Sequence, residues 1–476
     1  MSLPAPFRSL LDEAALEAAL RTARGTGAHF AEVFLERRDQ RSIGRREGRV
    51  ETTTASTICG AGVRALSGAG TGYAWTSSPS ASSLADAARA ASRIAAAGSP
   101  GEGGDGVRIA GASAAGTEPA GPGSLGDLQS RADYLEELDS LARAGDARVS
   151  EVSCSVGEEV RTIHVANSEG RRTTDEQILS IVRAAVYVRG AGGTQRGQYG
   201  GGGREAFAPL SKGRLAPGAV AGEALRRALL GLDAREAPTG EMPVLIGNGW
   251  GGVLLHEAIG HGFEADFVQR GTSIFAGKLG ERVASPLCTV VDDSGIAGLR
   301  GSYRVDDEGT PARRTCLIEK GILTGYLHDL LSAAALGMEP TGNGRRHSFR
   351  TPPIPRQSNL FMEAGDREPE ELLGSVRRGF YAKGLGGGQV DIVSGRFVFE
   401  VTEGYLIEEG RATAPVRGAN LIGSGREVLM RIEGVGSDFS FDPGTGTCGK
   451  DGQSQPVGVG QPTVLVSAMT IGGTRL

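Results

Sequence analysis

Apolar positions along the chain keep two rhythms, and the alternation between them sketches the fold. Over residues 10–24, Leu10, Leu11, Ala14, Leu16, Ala18 and Leu20 recur at helical spacing, with Gly25 and Gly27 as stop signals. Residues 30–36 and 60–75 instead carry β-branched and aromatic side chains punctuated by glycines, and Arg46-Glu47-Gly48-Arg49 between them reads as a hairpin tip. Helical spacing returns over 83–97. From 98 to 126, Gly, Ala, Pro and Ser almost exclude large apolar residues, a composition that buries too little surface to offset ordering entropy, so a mobile surface loop is expected. Ser130 with Asp133 resembles a capping box opening a helix whose Leu135, Leu138 and Leu141 share a face and which Gly145 closes. Strand patterning resumes near Val149, and a further helix is expected over 219–232.

Ala237-Pro238-Thr239-Gly240 then marks a boundary. Beyond it, Val390-Asp391-Ile392, Arg396-Phe397-Val398-Phe399 and Tyr405-Leu406-Ile407 read as short meander strands separated by Ser394-Gly395 and Glu403-Gly404. The expected fold class is α+β, with an N-terminal α/β domain over residues 1–238 and a β-rich domain over residues 239–476.

Composition narrows the function classes. The 76 glycines follow no short period, which excludes a collagen-like chain and implies many tight turns. Against 51 Lys+Arg stand 56 Asp+Glu, with no long run of either sign, so neither nucleic acid nor an anionic membrane is an expected partner. No window approaches the roughly 20 apolar residues of a membrane span, and the first residues lack a basic stretch followed by an apolar one. Five scattered cysteines do not suggest a disulfide framework, and a cytoplasmic location fits best.

The strongest chemical signal is His256-Glu257-Ala258-Ile259-Gly260-His261, an HExxxH pattern following Val253-Leu254-Leu255. Histidines four apart share a helical face, whereas five apart they diverge by roughly 140°. Gly260 could permit a π-bulge or break that re-aims His261. Two unrelated histidines, one buried and one exposed, would give the same spacing. A catalytic zinc needs about three protein ligands and an open position, so a third must come from elsewhere. Cys448, Cys288, Cys316, Glu264 and Asp266 are the candidates. Cys448 leads, because flanking glycines allow close approach and Lys450 could favour the thiolate; Cys288 and Cys316 sit in apolar strand-like runs that suit inert thiols.

Residues 249–266, with Gly60-Ala61-Gly62-Val63-Arg64, Gly386-Gly387-Gly388-Gln389-Val390-Asp391, Leu421-Ile422-Gly423-Ser424-Gly425 and Cys448-Gly449-Lys450-Asp451-Gly452-Gln453, carry a resemblance over essentially the whole chain. It is to the metal-bearing subunit of the TldD/PmbA metallopeptidase family. The resemblance implies His256, His261 and Cys448 as metal ligands, one zinc ion per active subunit, and Glu257 as catalytic base. It further implies hydrolysis of unfolded or extended polypeptides, and either pairing with a related metal-free PmbA/TldE-type subunit or a homodimer. The composition of residues 98–126 departs from it. Rival readings are a non-catalytic peptide-binding subunit and a metal-dependent hydrolase of a non-peptide amide. His29, His164, His328 and His347 read as structural, Gly200-Gly201-Gly202-Gly203 as a flexible loop, and Gly423-Ser424-Gly425 lacks the glycine spacing of a nucleophile elbow.

Overall fold

The computed structural model describes residues 3–25, 27–68, 70–98, 125–191, 193–391 and 394–473. The loop expected over 98–126 falls almost wholly outside them. The chain folds as α+β. Its first half is built on a six-stranded antiparallel sheet of β1 (Phe30–Arg46), β2 (Arg49–Ser67), β3 (Gly70–Thr76), β4 (Val149–Asn167), β5 (Arg172–Gly190) and β6 (Gly193–Gly203), in the order β3-β2-β1-β4-β5-β6.

Glu47 at φ 48° and Gly48 at φ 75° turn β1 into β2, the left-handed pair of a tight hairpin. The strands run well past the apolar stretches that announced them. Their polar middles continue the ladder through contacts between neighbouring strands, such as Arg46–Glu151 at 2.8 Å and Ser42–Thr54 at 2.6 Å.

Helices Glu13–Arg24 and Ala81–Ala97 bury their apolar faces against β1 and β2, while Leu128–Gly145 and Pro217–Asp233 cover β4 and β5. Caps decide where they start. Asp12 accepts from the Ala15 amide, so the first of these helices begins at Glu13 and not at residue 10. Asp127 accepts from the Ser130 amide, which places Ser130 inside its helix and corrects the expected Ser130–Asp133 box; Asp133 accepts from the Gln129 side chain instead.

Gly200–Gly203 are a second correction: they finish β6 and form no loop. A Cβ on Gly201 would fall 2.6 Å from the Pro443 carbonyl oxygen, and one on Gly202 would fall 2.2 Å from that of Ser180. Glycine lets this strand end nest between β5 and the second half of the chain.

In that half, strands Arg378–Asp391, Gly240–Ile246, Val464–Gly472, Asn420–Ser424 and Arg396–Glu408 pair in that order, and the last pairs back to the first, closing a barrel-like ring. Arg396–Glu408 is one continuous strand where two short ones were expected. Gly404 does not interrupt it; its missing side chain makes room for the Phe380 ring, 2.8 Å from where a Cβ would stand. Ile392 lies outside the described residues.

A second, six-stranded sheet includes Val290–Asp293, Asn359–Met362 and Gly458–Gln461, and one apolar core joins it to the ring. Buried ion pairs tie the N-terminal sheet to the loops before residue 350, among them Arg64–Glu308 at 2.6 Å and Arg161–Asp307 at 2.9 Å. Among the described residues no helix is long and apolar enough to cross a membrane.

Candidate metal centre

The short helix Val253–Ala258 carries His256 and Glu257 and then stops. Ile259 leaves helical geometry at φ −136° and ψ −31°, and a 3₁₀ turn, Gly260–Phe263, carries His261. A break, not a π-bulge, therefore re-aims the second histidine and resolves the five-residue spacing. Gly260 is required for space: a Cβ there would lie 2.0 Å from Gln357 Oε1, and Gln357 is fully buried. The imidazole rings meet edge to face, 5.2 Å between centroids.

Cys448 comes from a hairpin, Thr447–Lys450 paired with Gln453–Pro456, whose turn uses Asp451 at φ 49° and Gly452 at φ 71°. Its Sγ lies 3.4 Å from His261 Nε2. One donor atom from each of His256, His261 and Cys448 lies within 4.8 Å of the others, and all three residues are buried. Tetrahedral zinc ligands at about 2.0–2.3 Å from the ion stand about 3.3–3.6 Å apart, close to the sulfur–nitrogen separation found.

Both ring nitrogens of His256 are buried with no hydrogen-bond partner among the described residues. That costs free energy unless something else satisfies them. Two imidazoles and a thiol suit zinc, so these residues fit the expected group. Glu257 is not required as a ligand; its carboxylate stands 3.8 Å from His261 Nε2 with the side chain 26% exposed, between the buried donors and solvent.

Behind these residues lies a charged layer. His261 Nδ1 meets Glu264 Oε2 at 2.9 Å, and Lys450 Nζ stands 3.0 Å from the same carboxylate. Burial alone would raise the pKa of Glu264, but Lys450 and His261 hold it well below the usual carboxylate range. Burial likewise works against a charged His261, yet Glu264 outweighs it and raises that pKa. Burial would raise Cys448 too; His256 and His261 bring it well below the ordinary thiol value. The histidines thus favour the thiolate, in place of the expected Lys450, which is engaged by Glu264 and Asp266, the latter at 2.7 Å.

The remaining candidates fall elsewhere. Cys288 is fully buried in the core, its pKa pushed up to about 12 by burial, and Cys316 Sγ faces the Ile318 carbonyl at 3.5 Å. Glu264 and Asp266, weighed above as ligands, stand one layer back. His164 and His328 are buried, and His347 is held by the Ser454 backbone at 3.0 Å. Sequence reasoning missed Arg356, which donates to the Cys448 carbonyl at 2.8 Å, and Gln357, which donates to the His256 carbonyl at 3.3 Å. Their signal was an unalternating polar run, Arg356-Gln357-Ser358-Asn359, set among apolar strands and entirely buried.

Residues 239–473 match the PmbA/TldA metallopeptidase C-terminal domain, 31–95 match domain 1, and 127–232 match the central domain of the same family. The chain belongs to this metallopeptidase family. Within it the chain is of the TldD type: it is 41% identical to the metalloprotease TldD homolog of Haemophilus influenzae over 455 residues, 94% of this chain and 93% of that protein. It is also 33% identical over 235 residues to a zinc metalloprotease TldD homolog of Saccharolobus solfataricus, covering 49% of this chain and 52% of that one. Among solved structures, TldE from Thermococcus kodakarensis shares the fold with a TM-score of 0.74 at 20% identity, over 96% of this chain and 100% of that one.

Proposed function

We propose that the chain is a zinc peptidase that cuts unfolded or extended polypeptides, with His256, His261 and Cys448 holding one metal ion and Glu257 acting as general base. The observation that carries this reading is the pair of unsatisfied His256 nitrogens, buried beside two further donors. A relative named as a zinc metalloprotease supports the choice of metal.

A zinc ion bound there would supply Lewis-acid chemistry, acidifying a water and polarising a peptide carbonyl. Glu257 takes the proton of the attacking water and returns it to the departing amine nitrogen. Glu264 keeps His261 oriented through Nδ1, and the buried surroundings of Cys448 exclude competing solvent.

The fold shared with TldE supports a related subunit, or a second copy of this chain, as the partner. Residues 1–238 and 239–476 remain the proposed domains. The five cysteines are all unpaired, in keeping with a reducing cytoplasm.

A tight chelator should abolish cleavage of an unfolded, dye-labelled polypeptide, and added zinc should restore it. Undiminished cleavage by protein shown to be metal-free would sink the reading.

A further inference from the structure

Arg204, Arg300 and Arg345 have no acidic side chain at ion-pair distance among the described residues. Asp307 and Asp292 favour the charge of Arg345 from farther off, but Asp307 is paired with Arg161 and Asp292 accepts from Asn343 and Ser358. Arg300 is 7% exposed; it donates Nε to the Gly446 carbonyl at 2.7 Å and Nη2 to Thr447 Oγ1 at 3.3 Å, while its Nη1 is buried without a partner. Arg345, 3% exposed, donates to the carbonyls of Gln357 at 2.6 Å and Pro456 at 2.8 Å. Arg204 directly follows the glycine end of β6, and its Nε and Nη1 are buried with no acceptor.

Arg300 and Arg345 both act on Arg204. Burial disfavours the charged form of Arg204 most, and Arg345, Arg161 and Arg300 add repulsion. Glu159 opposes them, but Gln40 already donates to it at 2.6 Å. Asp442, which opposes burial at Arg300, accepts from the amides of Gly444, Thr445 and Val459. Holding guanidinium groups in this state is costly, and their free donors call for an anion.

Their position says which anion. Arg300 and Arg345 grip opposite ends of one hairpin rung, since Thr447 pairs with Pro456. The next rung, about 3.3 Å on, carries Cys448. Thr447 itself is exposed, so the rung borders solvent. An extended peptide crossing the metal centre has its own charged groups within a few residues of this point.

We propose that Arg204, Arg300 and Arg345 form a carboxylate-binding subsite that seats either the C-terminal carboxylate or an acidic side chain of the substrate close to the bond being cut. Arg204 and Arg300 supply the free donors, and Arg345 adds charge. This rests on the peptidase reading above.

Three labelled peptides of one sequence separate the sources: a free C-terminal acid, its amide, and the amide with one glutamate near the C-terminus. Binding is read by fluorescence anisotropy on zinc-loaded Glu257→Gln, and turnover on the parent enzyme. At least one anionic peptide should bind roughly tenfold or more tighter than the neutral amide. The anionic peptide that gains identifies the source. Arg204→Gln should erase the preference, Arg204→Lys should retain part of it, and Arg204→Gln should melt no lower than the parent because Arg204 makes no side-chain hydrogen bond.

Equal binding of all three peptides, or a preference that survives Arg204→Gln, overturns the subsite. Cleavage of all three without preference does so while upholding the peptidase reading. A preference in binding with no cleavage of any peptide does the reverse.

Discussion

Replacing Glu264 with glutamine removes one negative charge from a point where three cationic groups converge. His261 Nδ1 lies 2.9 Å away, Lys450 Nζ 3.0 Å and Arg356 Nε 3.8 Å. The side chains of Glu264 and Arg356 are fully buried. Removing one partner of such a buried pair typically costs about 3–5 kcal/mol, because the other charge stays behind. The lower end applies here, since Asp266 keeps Lys450 at 2.7 Å and the glutamine carbonyl can still accept from His261.

Urea unfolding of the metal-free variant should thus show a loss of about 3 kcal/mol with an unchanged slope. Zinc affinity gives the second readout, by competition with a chelating dye. The carboxylate aims the ring so that Nε2 faces Cys448 Sγ, and losing such an outer partner typically weakens metal binding by about 10–100-fold. With the hydrogen bond kept and the charge lost, Glu264→Gln should lie near tenfold, and Glu264→Ala near a hundredfold. Unaltered zinc affinity in a folded Glu264→Ala protein would refute the positioning role.

Glu257→Gln should keep its metal while the rate falls by about 10²–10⁴, measured as peptide turnover beside metal analysis; loss of the metal would make Glu257 a ligand. Cys448→Ala should lose metal where Cys288→Ala does not, and the opposite result would move the third ligand into the core. Gly260→Ala forces a Cβ against Gln357, and overpacking of this kind costs about 1–3 kcal/mol, visible as a lower Tm together with weaker zinc binding. His164, fully buried, has its pKa lowered to about 4 by burial, so the unfolded chain takes up its proton first as the pH falls. That stability is fully present above about pH 6.5, declines between there and pH 4, and amounts to about 2 kcal/mol lost at pH 5. His164→Gln should flatten the dependence in calorimetry, and a steeper loss of stability in acid would contradict the assignment.

Local chemistry was the legible part of the chain. The hairpin tip at Glu47-Gly48 was marked by its glycine, the residue that enters left-handed geometry most readily, and helix 217–233 follows directly from its periodicity. The spacing of His256 and His261 announced an irregularity, but not that it falls at Ile259, next to a glycine packed on Gln357 from a loop about a hundred residues away. Gly404 and Gly200–Gly203 looked like interruptions because a glycine that ends a strand and one that admits a neighbouring ring or backbone are written alike. The hairpin of strands 378–391 and 396–408 is local, but the pairings that complete the ring, such as the parallel register of 378–391 with 240–246, join distant segments that no single window holds. Arg356 escaped notice because its partners, Glu264 and the Cys448 carbonyl, lie far from it in the chain.

His261 and Cys448 are separated by 187 positions, and joining the ends of a free loop that long costs about 5 kcal/mol in chain entropy. Small zinc modules leave that closure to the ion and are unfolded without it. Here Arg356 spans the gap with protein atoms alone, donating to the Cys448 carbonyl at 2.8 Å and standing 3.8 Å from Glu264. The apo protein is therefore already clasped. The metal-free protein is expected to keep its native shape through purification with chelators and to take the ion up again on refilling, so that metal scarcity would idle it without unfolding it.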